Sequence, residues 1–173
     1  VGNVAIGLYA GHSCSGQLNT YVGATSGRGG SLSSGSSGIR NSGFGHSALF
    51  DIGSGDKNAA LGYAALANVS AGDDNIGIGA ECGDTLTGGN NNILIGSGTD
   101  VSSFGAVSRV VISPTAATCT TDSTTLIKNT NIHLDGRVGI GENAPAADLE
   151  IKGNLSAAFS DATAEVVDGA EGT

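Results

Sequence analysis

Apolar and polar residues alternate in short phrases that return along the first part of the chain. Each phrase has an Asn, two residues, an aliphatic or aromatic residue, and then a Gly. Six phrases fit this pattern: NVAIG from Asn3, NTYVG from Asn19, NSGFG from Asn41, NAALG from Asn58, NIGIG from Asn75 and NILIG from Asn92. The intervals between successive Asn positions are 16, 22, 17, 17 and 17, and such self-similarity indicates a repeat architecture.

Three positions of the repeat describe its interior. The apolar residue three places after each Asn shares a strand face with the residue one place after it, and we expect that face to point inward. These apolar residues are Ile6, Val22, Phe44, Leu61, Ile78 and Ile95. The glycines that follow fit a sharp bend or a close backbone approach, and they are Gly7, Gly23, Gly45, Gly62, Gly79 and Gly96. Seven places after each Asn the residue is small, which predicts a narrow interior: Ala10, Ser26, Ala48, Ala65, Cys82 and Thr99.

The period of the repeat is too short for a helical-hairpin repeat or a propeller blade. It suits one coil of a β-solenoid, so the sequence predicts an all-β stack of about six coils with strands paired in parallel at about 4.8 Å. The recurring Asn would then form a ladder of side-chain amides along the stack. Because so thin a coil buries little area by itself, we also expect chains to trimerise around a shared axis.

Changes in composition predict four segments. Residues 1–109 form the repeat head, and residues 110–123 form a Thr-rich linker. Residues 124–153 form a hairpin-like neck, because Asp135-Gly136 stands between alternating aliphatic residues. Residues 154–173 form an acidic tail without Lys or Arg.

Composition and charge restrict the function classes. Glycine is 30 of 173 residues and aromatics are only 4%, which agrees with a thin, repetitive core. The formal net charge of −9 argues against nucleic acid as a partner, because phosphate binding relies on Lys and Arg. No apolar run approaches the roughly 20 residues of a membrane span, so membrane insertion is not expected.

Candidate catalytic or metal-binding groups form no recognisable motif, and we predict a protein without enzymatic activity, cofactor or metal. The three histidines fall at different places in the repeat, as expected of surface residues: His12, His46 and His133. Four carboxylates lie close together in sequence and are explained as turn residues, with a calcium site or an acid pair as the weaker alternatives: Asp73, Asp74, Glu81 and Asp84.

Cysteines and sequons leave several alternatives open. Cys14 and Cys82 occupy core-type positions of the repeat, where a small buried thiol is expected, although a disulfide is the alternative. Cys119, in the Thr-rich segment, is the best candidate for a disulfide. Asn68 and Asn154 stand in N-x-S sequons, which are relevant only if the protein passes through a glycosylating compartment.

Several phrases resemble a known group of proteins. NVAIG, NAALGYAAL and LTGGNNNILIG are similar to the head repeats of trimeric bacteriophage and viral tail fibres, and of trimeric autotransporter adhesins. The segment GRVGIGENAPAADLEIKG, 136–153, resembles the phrase that often precedes a C-terminal intramolecular chaperone in tail fibres and tail spikes. Adhesin heads usually repeat at a shorter interval than this chain, which favours the tail-fibre group. No chaperone or self-cleavage site is visible in this sequence.

The resemblance implies a homotrimeric fibre on a virion or in the extracellular space, which attaches to a glycan or protein receptor of a host cell. The longest interval of the repeat holds an inserted Ser-rich segment, residues 31–38, which is the expected receptor loop. Its candidate residues are Ser31, Leu32, Ser33, Ser34, Ser36 and Ser37. One alternative is a subunit of an extracellular filament that polymerises end to end, and a weaker one is a polysaccharide-cleaving tail spike.

Overall fold

A computed structural model of the chain describes residues 2–30, 36–128, 138–140 and 149–151. This part of the chain contains strands and turns without any helix, so the predicted all-β class is confirmed. The twelve strands are β1 (Val4–Ile6), β2 (Thr20–Val22), β3 (Ser42–Phe44), β4 (Ala59–Leu61), β5 (Ile76–Ile78), β6 (Ile93–Ile95), β7 (Thr99–Val101), β8 (Val110–Ile112), β9 (Ala117–Cys119), β10 (Thr125–Ile127), β11 (Val138–Ile140) and β12 (Leu149–Ile151).

The main sheet confirms the predicted parallel β-solenoid. Its eight strands follow the order β1-β2-β3-β4-β5-β6-β8-β10, and every neighbouring pair is parallel. Equivalent residues meet across each pair, so that Ala60 lies beside Gly77 and Gly77 beside Leu94. Each strand opens one coil, and coils one to eight are numbered here in that order. A second, two-stranded sheet pairs β7 with β9 at the end of the stack.

The Asn residues form a buried ladder through the stack. The side-chain oxygen of Asn75 accepts the backbone N–H of Asn92 at 3.0 Å and the side-chain amide of Asn92 at 2.9 Å. The amide nitrogen of Asn75 donates to the carbonyl oxygen of Gly89 at 2.8 Å. The equivalent bonds recur from coil to coil, and five ladder residues are almost completely buried: Asn19, Asn41, Asn58, Asn75 and Asn92.

A second ladder lies two residues before the Asn position. The carboxylate of Asp56 accepts the backbone N–H of Ile39, and the carboxylate of Asp73 accepts that of Asp56, both at 2.8 Å. Asn90 accepts the backbone N–H of Asp73 at the same distance. Each acceptor oxygen here bonds the preceding coil, whereas each acceptor oxygen of the first ladder bonds the following coil. Neighbouring coils are therefore held by side chains that point both ways along the stack.

The bends explain the repeated glycine. Gly79 has a φ of 136°, and a Cβ atom there would lie 2.5 Å from the carbonyl oxygen of Gly96. Only glycine combines that backbone angle with so close an approach to the next coil. The residue before the ladder position also adopts a left-handed conformation, although it is rarely glycine. In seven coils its φ lies between 54° and 61°: Leu18, Arg40, Lys57, Asp74, Asn91, Ser108 and Ser123.

The core lies on the opposite strand face from the one predicted. The inward residue is the second after the Asn position, as with the buried Ala60, Leu94 and Val111. The prediction was wrong because this residue is only Gly or Ala in coils three to five, and so resembled a spacer. Long side chains from the turns fill the space instead: a Cβ atom on Gly77 would lie 2.6 Å from Cγ of Leu66.

The stack extends beyond Arg109, where the sequence predicted a linker. Arg109 occupies the ladder position one repeat after Asn92, and its backbone N–H donates to the side-chain oxygen of Asn92 at 3.1 Å. Strand β8 then pairs with β6, and β10, from the segment predicted as a neck, pairs with β8. Residues 110–123 are therefore part of the solenoid.

The chain divides into one compact unit up to Thr130 and another from Asn131. In the second unit β11 pairs with β12 in parallel, with Gly139 beside Glu150, so these two strands do not form a hairpin with each other. The turn predicted at Asp135-Gly136 and the acidic tail of residues 154–173 lie outside the described residues.

Candidate functional site: an apolar stripe on the outer face

The strands of the solenoid present an uncharged and mostly apolar surface outward. In each coil the residues one and three places after the ladder position point away from the core, because the residue between them points inward. In-register pairing aligns these residues into two columns, which together are called the outer stripe. Its members are Val4, Ile6, Thr20, Val22, Ser42, Phe44, Ala59, Leu61, Ile76, Ile78, Ile93, Ile95, Val110, Ile112, Thr125 and Ile127.

The large side chains of the stripe are substantially exposed to solvent. Ile6 is 59% exposed, Leu61 55%, Phe44 42% and Ile78 40%. Neither column contains a charged residue, although the whole chain carries a net charge of −9. An exposed apolar surface without charge on an acidic chain is a candidate interaction surface.

The dimensions of the stripe follow from strand geometry. Seven steps of about 4.8 Å between eight strands give a length of about 34 Å. The two columns are about 7 Å apart, and with side chains the stripe covers roughly 400 Å². This area lies within the range of the largest apolar patches on monomers, roughly 300–600 Å², which are often functional.

A shallow hollow of about 160 Å³ interrupts the middle of the stripe. It forms where the first column carries its smallest residues, Ser42 and Ala59. The larger neighbours Phe44, Leu61, Ile76 and Ile78 form its walls.

Residues next to the stripe in sequence are more polar than the stripe itself. Before the ladder position, the amine of Lys57 lies 3.5 Å from a carboxylate oxygen of Asp74, and both side chains are about half exposed. After the bend, the ring of His46 stacks on that of Tyr63 with 5.6 Å between centroids. Such exposed ion pairs contribute little stability. They make the borders of the stripe polar, in contrast to the stripe itself.

The histidines that the structure describes have local partners. His46 Nδ1 lies 2.9 Å from Oγ of Ser47, and the ring of His12 meets that of Tyr9 edge-on at 5.4 Å. Both histidines are exposed and lie in different coils, so the structure does not bring them together. His133 lies outside the described residues.

The four carboxylates singled out in the sequence lie between strands, with Glu81 and Asp84 in a turn. Asp73 belongs to the second ladder and Asp74 pairs with Lys57. Asp84 accepts the side-chain amide of Asn68 at 2.8 Å, and Glu81 is exposed. Among the described residues no group of three or more His, Cys, Asp or Glu side chains is arranged to hold a metal ion.

All three cysteines are free thiols. Burial raises the pKa of the Cys82 thiol to about 11, which makes it a poor nucleophile near neutral pH. Cys119 is 3% exposed within β9, and its sulfur lies 3.5 Å from the carbonyl oxygen of Thr121. The best disulfide candidate of the sequence is therefore a buried core residue, which would reach another chain only if this coil opened.

The predicted receptor loop is partly integrated in the stack. Ser36 is completely buried, and its backbone N–H donates to the carbonyl oxygen of Ser13 at 2.7 Å. It therefore cannot contact a receptor, whereas the adjacent Ser37 is exposed. The candidates Ser31, Leu32, Ser33 and Ser34 lie outside the described residues.

The sequon at Asn68 has an engaged side chain. Its amide nitrogen donates to the backbone oxygen of Asp84 at 2.7 Å, in addition to the carboxylate contact. A glycan at Asn68 would remove one of the two N–H donors that make these bonds. The second sequon, at Asn154, lies outside the described residues.

A charged network at Arg109 was missed in the sequence. Its guanidinium, 4% exposed, donates to Oδ1 of Asp122 at 2.7 and 2.8 Å and to the carbonyl oxygen of Cys119 at 2.8 Å. The backbone N–H of Val107, followed by Arg109, holds the pKa of Asp122 below its usual range. Two signals could have revealed this coil: Arg109 stands one repeat interval after the last Asn of the series, and three consecutive apolar residues follow it, as they follow Asn92.

Comparison of the chain with protein-family models, curated proteins and solved structures returned no match. Within the described part of the chain, no helix has the length and hydropathy needed to cross a membrane. The geometry of the solenoid and its outer stripe therefore carries the functional argument, together with the resemblance seen in the sequence.

Proposed function

We propose that this chain is a non-enzymatic structural segment of a fibre, in which three copies associate side by side and the assembled fibre attaches to a host cell surface. The observation that carries the proposal is the outer stripe, two charge-free columns along eight coils. Its position on a virion or in the extracellular space is part of the same proposal.

The energetics support association through this stripe. The solenoid has its own core, so the stripe is not needed to complete the fold of one chain. Burying roughly 400 Å² of apolar surface per chain would contribute about 10 kcal/mol at 25 cal/mol per Å². This is enough to offset much of the cost of association, which is on the order of 4–15 kcal/mol.

The arrangement of charge supports copies of the same chain as partners. Two acidic chains repel each other over most of their surfaces, but they meet no charge along the stripe. Attachment to a cell is supported by the likeness to tail-fibre repeats and by the turns that the stripe leaves exposed for contact with another surface.

Light scattering on the purified chain, followed by negative-stain imaging, tests the assembly. We expect the mass of three chains in short rods. Ile78→Asp would place a charge inside the stripe and should yield monomers with an unchanged β-sheet circular dichroism spectrum. Phe104→Asp is the matched control, because Phe104 is 68% exposed and lies outside the stripe. A monomeric wild-type chain would refute the proposed assembly.

Binding of labelled rods to a panel of bacterial and eukaryotic cells and to an array of surface polysaccharides tests attachment. We expect retention on a subset of cells or glycans without cleavage of the glycan. Release of shortened polysaccharide would favour the tail-spike alternative. End-to-end polymers in the images would favour the extracellular filament.

A further inference from the structure

We propose that Phe44 of one copy packs into the hollow beside Ser42 and Ala59 of a neighbouring parallel copy. This inference rests on the proposed association through the outer stripe and adds its orientation and register. Phe44 is the one aromatic residue in the stripe and protrudes with 42% of its surface exposed. The hollow spans coils three to five, and therefore includes the level of Phe44 in the stack.

The two columns of the stripe are complementary in size at this level. The column that contains Phe44 and Leu61 carries a large apolar residue in every coil. The other column carries Ser42 and Ala59 in these same coils, followed by the larger Ile76. A ring as large as that of Phe44 therefore has most room opposite the small residues Ser42 and Ala59 of the other column.

The volume of the hollow fits one aromatic ring. It holds about 160 Å³, and its exposed lining is apolar. An apolar protein cavity of about 150 Å³ binds benzene, which has the size of the Phe side chain. Packing here would bury both the ring of Phe44 and the methyl group of Ala59, both of which are exposed in the single chain.

Symmetry then fixes the orientation of the copies. When two identical faces meet in parallel, rotation about the rod axis places the first column of one copy opposite the second column of the other. When they meet antiparallel, like columns face each other and the order of the coils is reversed, so that Phe44 misses the hollow. A parallel closed ring satisfies every Phe44 and every hollow with one type of contact.

Four variants test the contact by sedimentation velocity over a concentration series. Urea is added to all samples if the wild-type assembly does not dissociate on dilution alone. Phe44→Ala removes the inserted ring together with one wall of the hollow, whereas Ala59→Phe fills the hollow and leaves Phe44 in place. Each should raise the midpoint concentration of dissociation about tenfold or more. The double variant moves the aromatic ring to the first column and the small residue to the second. It should recover part of the affinity that each single variant loses. Phe104→Ala, the same substitution as Phe44→Ala outside the stripe, should leave the midpoint unchanged.

A photocrosslinker provides a measurement that does not depend on stability. Benzoylphenylalanine in place of Phe44 should crosslink between chains to the peptide that contains Ser42 and Ala59. Wild-type association with crosslinks to other coils, or with an unchanged midpoint for Phe44→Ala, would overturn this inference and leave the proposed function standing. A wild-type chain that remains monomeric would refute both.

Discussion

Coils four and five differ in their polar interior from the coil that begins at Arg109, although the backbone follows the same path. Asn58 and Asn75 give way to Arg109, and the interval to the next strand of the main sheet becomes shorter. The bend glycine is replaced by the buried Ser113. Strand β8 nevertheless pairs with β6 in the usual register. Strand pairing and side-chain alternation therefore keep the coils aligned where the ladder residues change.

The two regions also differ in the side-chain hydrogen-bonding groups that they present to the next coil. An Asn side chain both donates and accepts, so each ladder residue receives a bond from one coil and gives one to another. Arg109 has donors only. Its backbone N–H donates to the side-chain oxygen of Asn92, but its side chain has no acceptor for the next coil. The guanidinium donates to Asp122 and to the carbonyl oxygen of Cys119 instead. A neutral, extendable ladder ends in a local charged network.

The largest effect is expected from a bend glycine in the regular coils. Gly62→Ala combines a φ of 141° with a Cβ atom 2.5 Å from the carbonyl oxygen of Gly79, and should lower the free energy of unfolding by about 3 kcal/mol or more. Urea denaturation followed by circular dichroism measures it. Gly88→Ala is the control, because no atom lies within 4 Å of its Cβ position. Equal stabilities of the two variants would show that the bends tolerate side chains, as the bend at Ser113 does.

A ladder residue should have the next largest effect. Asn75→Ala leaves the buried backbone N–H of Asn92 and the carbonyl oxygen of Gly89 without partners, and should cost about 2–4 kcal/mol. The same denaturation experiment applies. Asn68→Ala, a half-buried surface amide, should cost less than about 1 kcal/mol. Similar costs at both sites would mean that the ladder adds specificity without stability.

The charged network should make the end of the stack sensitive to acid. Because the pKa of Asp122 is lowered in the folded chain, its contribution is present above the ordinary aspartate pKa of about 3.9 and is lost as pH falls through the lowered value. Asp122→Asn should therefore lower Tm at pH 7, and this difference from wild type should shrink towards pH 3. Glu81→Gln, at an exposed site in the regular coils, serves as the control in the same scans. A difference independent of pH would contradict the electrostatic role of Asp122.

Left-handed residues should give the smallest effect, and with opposite sign. Ala64 has a φ of 51°, which strains any residue with a Cβ atom. Ala64→Gly should raise the free energy of unfolding by about 0.5 kcal/mol after the extra entropy of glycine in the unfolded chain is counted. Ser123→Gly in the terminal region, where φ is 56°, should behave in the same way. If only one of the two variants loses stability, glycine relieves backbone strain at one position and not at the other. The two regions would then differ in this strain.

The period of the sequence was sufficient to predict the all-β solenoid, the parallel pairing and the spacing of the coils. Those properties depend on where residues recur, and the positions of Asn58, Asn75 and Asn92 are visible in the sequence. The inward face was not predictable in the same way. Gly43 and Gly77 carry no side chain that shows which way the position points, and the residue that fills the space beside Gly77 comes from a turn.

The candidate site was missed for a related reason. Ile6, Leu61 and Ile78 were recognised as essential to the repeat, but their hydrophobicity was assigned to a core within one chain. The structure places them on the surface, because long side chains from the turns, such as Leu66, already fill the interior. The end of the stack was not predicted because the repeat pattern required an Asn. Arg109 keeps only the backbone N–H bond of that position, to the side-chain oxygen of Asn92.

Because successive coils make the same contacts, the length of the solenoid can change by one whole coil at a time. Asn58 and Asn75 receive and donate the same bonds, and Asp56 and Asp73 do the same in the opposite direction. A tandem duplication of one regular repeat would thus find every donor and acceptor in place. It would lengthen the rod by about 4.8 Å without a new turn or a new core. A gene that encodes such a chain can set the reach of the molecule by copy number alone.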